Sequence, residues 1–188
     1  MSATVVVFKQ LQTADFKFLL GELSRLNTAP KGPFAGKLDM SRIALAGHSL
    51  GGSATLAGVV QGIILDGASL NRFAGPTRTP LLMLITGREQ WSVDECSLWK
   101  NLHSPRFAMK LAGADHLAPS DAVWLAKGVV KTGNLRPDKT VDVLRQYVAA
   151  FLDANLRGQT PNSLLAEQSP DFPDVVVTTH SQSLCGEE

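Results

Sequence analysis

The chain has 188 residues, 44% of them hydrophobic and 19% charged, which suits one globular domain with a sizeable core. Its formal net charge is +1 and the basic residues are scattered, so it carries no electrostatic footprint for nucleic acid or an anionic membrane surface. No apolar run is long enough to span a bilayer, and the N-terminus lacks the basic start and long apolar core of a signal peptide; the expected location is cytoplasmic, with secretion left open.

Thr4 to Phe8 is a short β-branched run, read as a strand or an extended entry. Phe16, Leu19, Leu20, Leu23 and Leu26 then recur at helical spacing, with Thr13 or Asp15 as the starter. Pro30, Gly32, Pro33 and Gly36 mark a loop from Asn27 to Lys37. Ile43 to Ala46 predicts a strand, followed after Ser49 by a helix to about Val60. Gly62 to Leu65 is a second strand ending at Asp66, and the stretch from Asn71 to Pro80 is turn-rich. Leu81 to Ile85 is the most apolar strand, which suits a central position covered on both faces. Gly87 to Pro105 reads as long and irregular, with Trp91 and Trp99 in it. Arg106 to Leu111 alternates, as a strand nearer an edge does.

Gly113-Ala114-Asp115-His116 follows as a loop, and Pro119 to Lys127 starts a helix. Val141, Leu144, Val148, Phe151 and Leu152 form the stripe of a closing helix, capped near Asp138 or Thr140 and stopped by Gly158 and Pro161. Residues 159–188, with Pro170, Pro173 and the run Val175 to Val177, read as a surface tail holding at most one short strand. Strands alternating with helices imply a parallel sheet with right-handed crossovers, in a single domain over 1–188 whose core spans about 13–158. Cys96 and Cys185 lie far apart in sequence and read as free thiols, a disulfide being open to them in an exported protein. The four histidines show no metal-ligand spacing, and no cofactor is implied.

The stretch Gly47-His48-Ser49-Leu50-Gly51 lies between a predicted strand and a predicted helix of small residues. Strand, G-x-S-x-G, helix is the layout of a nucleophile elbow: a sharp turn lifts the serine hydroxyl above the sheet edge, with strain in its backbone. Glycines at the flanking positions 47 and 51 are expected to leave room for strand and helix to close around the turn. The Leu50 N–H, at the start of the helix, is placed to stabilise an oxyanion.

A serine hydroxyl needs a base, and His116 follows the last predicted parallel strand, as the chain order Ser, acid, His requires. His103 lies ahead of its strand, at the wrong end of the sheet; His180 is in the tail; His48 neighbours Ser49 with its side chain expected to point away. For the acid that orients the imidazole, Asp66 ends the strand after the elbow helix, while Glu89 and Asp94 follow the next strand. Ser49, Asp66, Glu89 and His116 all fall just after predicted strands, so they are expected to converge at the carboxyl edge of a parallel sheet, where ligands bind. Trp91 and Trp99, with Leu98, are candidate walls for an acyl pocket, core packing being the alternative.

Three segments carry a family resemblance: Asp39 through Gly52 around the serine, Ile64-Leu65-Asp66-Gly67, and Gly113-Ala114-Asp115-His116. Over about residues 13 to 158 the chain resembles α/β-hydrolases of the platelet-activating-factor acetylhydrolase-like and dienelactone-hydrolase-like branch. The resemblance implies an α/β, parallel-sheet, three-layer α/β-hydrolase fold, minimal or truncated on its N-terminal side. It also implies Asp66 as the acid. The family has several strands before the elbow strand, where this chain has room for at most one, and its His-Gly oxyanion loop is missing here.

These features together predict a serine carboxylesterase for small, short-acyl esters, with Ser49, Asp66 and His116 catalytic, Leu50 N–H in the oxyanion hole, and no lid over the site. A non-catalytic binding or assembly protein, and an acyltransferase with the same residues, are the alternatives. The expected partner is a small ester, and a second copy is a candidate cover for the exposed sheet edge.

Overall fold

The computed structural model describes residues 3–55, 62–67, 79–87, 91–103, 106–126, 128–160, 163–165, 169, 171–178 and 185. A helix, α1 (Ala3–Thr28), leads to β1 (Leu45–His48), α2 (Leu50–Thr55), β2 (Gly62–Leu65), β3 (Leu81–Thr86), α3 (Val93–Lys100), β4 (Arg106–Leu111), α4 (Ala122–Leu125), α5 (Pro137–Leu156) and β5 (Val175–Thr178). The expected Glu89, His180, the far end of the helix after Thr55 and the turns at 71–78 lie outside the described residues.

The five strands among the described residues form one sheet in the order β1-β2-β3-β4-β5. Neighbours from β1 to β4 run parallel, and β5 runs antiparallel to β4. β3 is the middle strand and all six of its residues are buried, as its unbroken apolar run requires of a strand covered on both faces. Side chains alternate across it. Leu82 and Leu84 join Phe107, Met109, Tyr147 and Phe151 on the α5 face, while Leu81, Met83 and Ile85 join Leu98, Trp99 and Ala108 on the α3 face. Helices on both faces give the three layers of an α/β-hydrolase fold. Truncating a fully buried ring such as Phe151 to alanine is expected to cost about 3–5 kcal/mol.

Several expectations are corrected. Thr4 to Phe8 is helical: α1 runs unbroken through it. β-branched residues cost only tenths of a kcal/mol each in a helix, and extending a formed helix needs no new nucleus. The stretch after Gly87 is not irregular throughout. Ser92 accepts the Glu95 N–H while Glu95 accepts the Ser92 N–H, and this capping box opens α3. β4, expected nearer an edge than β3, is indeed the second strand from one, with β5 beyond it. α5 is not capped at Asp138 or Thr140. It begins with Pro137 at its first turn, after an extended Arg136, and the Thr140 hydroxyl donates back to the Arg136 carbonyl.

The segment after α5 is not a surface tail. Leu164, Leu165, Phe172, Val175 and Val177 are all buried in the α5-side core, and the Lys139 ammonium pairs with the Asp174 carboxylate just before β5. The two cysteines are not free thiols: Cys96 of α3 and Cys185 form a disulfide, their Cα atoms 5.7 Å apart despite 89 positions of sequence between them. Distance along the chain carried no information here, because β5 brings the chain end back to the sheet. No helix among the described residues is long and apolar enough to cross a membrane.

Candidate active site

Parallel strands in register bring their carboxyl ends to one edge. His48 pairs with Leu65 at the ends of β1 and β2, so the next residues, Ser49 and Asp66, emerge side by side. The Ser49 N–H donates to the Leu65 carbonyl at 3.0 Å, and the Asp66 N–H to the Leu84 carbonyl at 3.0 Å. Both residues have positive φ, 55° for Ser49 and 46° for Asp66, and they are the only non-glycine residues of this kind among those described. Two strained residues at adjacent strand ends mark a place where the chain is turned to aim side chains.

The turn at Ser49 depends on glycine, though not at both positions that the motif suggests. A Cβ on Gly47 would run into the backbone of Gly51, and one on Gly52 would sit 2.8 Å from the Gly47 carbonyl oxygen. Gly51 itself faces open space. The close approach of β1 and α2 therefore rests on Gly47 and Gly52. Leu50 is the first residue of α2, where an N–H has no intrahelical acceptor.

His116 follows β4 on a loop and reaches the same edge. Its Nδ1 lies 2.6 Å from Asp66 Oδ2, and its Nε2 lies 3.0 Å from Ser49 Oγ. A neutral imidazole with the proton on Nδ1 donates to the carboxylate and accepts from the serine hydroxyl, so one tautomer satisfies both bonds. Asp66 is 4% exposed, and its Oδ1 accepts the Thr86 N–H at 3.0 Å. The imidazole is about half exposed, with 51% of its side chain open. A cavity of about 640 Å³ opens beside it, lined by Asp66, Thr86, Gly87, Asp115, His116, Leu117 and Lys131.

The other candidates lie elsewhere. Asp94 is in the first turn of α3 with no bond to His116. Trp91 and Trp99 do not line this cavity. They pack edge to face with centroids 5.0 Å apart in the α3-side core, where Trp99 and Leu98 are fully buried and the Arg106 guanidinium lies over the Trp99 ring. Core packing, the alternative for these rings, describes their place. The capping box makes Val93–Lys100 a helix whose sheet-facing side carries Leu98 and Trp99 into the core, and Trp91, just ahead of the cap, packs against Trp99.

His48 does not point away. Its Nε2 lies 2.7 Å from the His116 carbonyl oxygen, and the two rings are 4.8 Å apart between centroids. Only its adjacency to Ser49 signalled this in the sequence, and nothing there signalled the Thr86 N–H on Asp66.

The family model for platelet-activating factor acetylhydrolase, isoform II, matches residues 31–164. The chain belongs to this family. No curated protein sequence matches it significantly. Among solved structures, it is similar to a ferulic acid esterase from Streptomyces cinnamoneus, with 24% identity and a TM-score of 0.77. That match covers 92% of this chain and 55% of the esterase, so this chain spans little more than half the length of that relative. The shared element is the α/β-hydrolase fold.

Proposed function

We propose that this protein is a serine carboxylic ester hydrolase working through an acyl-enzyme. The observation that carries the proposal is the pair of hydrogen bonds that join Ser49 to His116 and His116 to Asp66, at 3.0 and 2.6 Å. Membership of a family described as an acetylhydrolase, and a fold shared with a ferulic acid esterase, support an ester as substrate.

In this mechanism the Ser49 oxygen attacks the acyl carbonyl carbon as its proton passes to His116 Nε2. Asp66 holds the Nδ1 proton and stabilises the imidazolium without taking that proton. The Leu50 N–H donates to the oxyanion of the tetrahedral intermediate. Collapse breaks the ester C–O bond, and the leaving alcohol takes the proton from Nε2. Water then repeats the sequence on the acyl-serine, releasing the carboxylic acid and restoring the hydroxyl. The expected substrates are small esters with short acyl chains.

Mass spectrometry after treatment with a fluorophosphonate tests this reading. The parent should gain one phosphonyl adduct and Ser49→Ala none, with p-nitrophenyl acetate turned over by the parent and p-nitrophenyl palmitate much more slowly. An unlabelled parent that turns over no ester would overturn the proposal and leave a hydrolase fold kept for binding.

A further inference from the structure

His116 is held by its ring, but a ring is only as well placed as the backbone that carries it. The residue sits on a loop between β4 and α4, and its side chain is half exposed. That loop is fixed around it by backbone bonds, Asp115 N–H to the Thr132 carbonyl at 3.1 Å and Ala118 N–H to the Asp115 carbonyl at 2.8 Å. The carbonyl of His116 itself has one partner among the described residues, His48 Nε2 at 2.7 Å. This bond spans 68 positions of sequence. It joins the loop to the last residue of β1, next to the nucleophile.

We infer that His48 is a positioning residue, a strut from the nucleophile's own strand that sets the distance between the Ser49 hydroxyl and the His116 imidazole. The inference rests on the hydrolase reading above for its catalytic consequence, though the strut itself is a matter of geometry. Asp66 and His48 restrain different motions. The carboxylate fixes the rotation and tautomer of the imidazole, whereas the His48 bond fixes the main chain from which the imidazole hangs. A carbonyl oxygen only accepts, so the hydrogen of this bond must be on His48 Nε2. Neutral His48 is therefore the Nε2–H tautomer, opposite to His116. Its ring also lies against the His116 ring, tilted by 37°, and limits sideways drift of the base.

Two substitutions separate the hydrogen bond from mere bulk. His48→Phe keeps a ring and loses the donor. His48→Gln presents an amide N–H the same number of bonds from Cβ and keeps the donor. A misplacement of about 1 Å at a reacting group costs on the order of 10²-fold in rate. His48→Phe should thus lower kcat by ~10–10²-fold with KM little changed, and slow fluorophosphonate labelling of Ser49 in step, while circular dichroism shows a folded protein. His48→Gln should recover most of the loss. Full activity in His48→Phe, an equal loss in His48→Gln, or a change confined to KM would each overturn the inference.

A second measurement does not depend on turnover. Imidazole nitrogen-15 spectra of the inactive Ser49→Ala protein should show His48 protonated at Nε2, and an Nδ1–H tautomer overturns the strut whatever the kinetics. A parent that no fluorophosphonate labels removes the hydrolase reading; a labelled parent with fully active His48→Phe removes this inference alone.

Discussion

The Asp66 carboxylate is tied to the neighbouring strand: its Oδ1 accepts the backbone N–H of Thr86 at 3.0 Å, across the ends of β2 and β3. The same carboxylate presents Oδ2 to His116. One oxygen is thus committed to the scaffold and the other to the imidazole, and the carboxylate cannot swing away from the His116 ring without breaking a buried bond. This division allows structure and chemistry to be separated by substitution.

Asp66→Asn keeps a carbonyl oxygen for Thr86 and tolerates the positive φ at this position, as asparagine does elsewhere. Its amide nitrogen facing His116 would favour the wrong tautomer. The expected outcome is a loss of about 10³–10⁴ in kcat with little change in the melting midpoint. Asp94→Asn, with no bond to His116, should stay near the parent. Steady-state kinetics beside thermal melts check both; a nearly silent Asp66→Asn would remove it as the acid.

The glycines around Ser49 are expected to differ sharply. Gly51 faces open space inside α2, so Gly51→Ala should be neutral or raise stability by up to about 0.5–1 kcal/mol. Gly52→Ala places a methyl group against the Gly47 carbonyl and should lower stability by about 1–3 kcal/mol. Urea midpoints of the two variants decide the ordering.

The disulfide closes a loop of 89 positions between α3 and the chain end. Cys185→Ser should destabilise the fold by about 2–4 kcal/mol, read from denaturant midpoints. The folded parent should react with no thiol reagent until it is reduced, since its two cysteines are both engaged.

Asp39, in the turn before β1, accepts from the Ser41 hydroxyl and from the Arg42 guanidinium. The Ser41 hydroxyl first, the Arg42 guanidinium second and the Ser41 N–H third hold its carboxyl at about 2, below the ordinary 3.8. A depressed carboxyl stabilises the fold above its unfolded value; the contribution is present above pH 4 and disappears as pH falls through 2. Carboxyl carbon-13 titration should find the low midpoint, and Ser41→Ala should raise it further than Arg42→Ala.

Much of the candidate site was legible in the sequence because its geometry follows from chain order. Ser49, Asp66 and His116 each come after a parallel strand, and parallel strands in register deliver their ends to one edge. β3 was equally plain, since a strand apolar at every position has to be covered on both sides.

What stayed hidden was set by packing at a distance. Val5, Val6 and Val7 look like strand residues, yet α1 runs through them, since lengthening a formed helix needs no new nucleus. The S-x-x-E pattern of Ser92-Val93-Asp94-Glu95 is a capping-box signature, and the helix that it opens carries Trp99 into the core rather than toward an acyl pocket. The run Val175 to Val177 marked a short strand, but its pairing with β4 and the disulfide depend on where the chain returns after α5, which no local pattern encodes.

The covalent tie between positions 96 and 185 encloses the loop that carries His116. A protease that nicks that exposed loop would therefore cut the backbone without parting the chain: the two pieces would migrate together on a gel until a reductant was added. A cut between positions 66 and 96 has no such tether, so there the piece bearing Ser49 and Asp66 can part from the piece bearing His116.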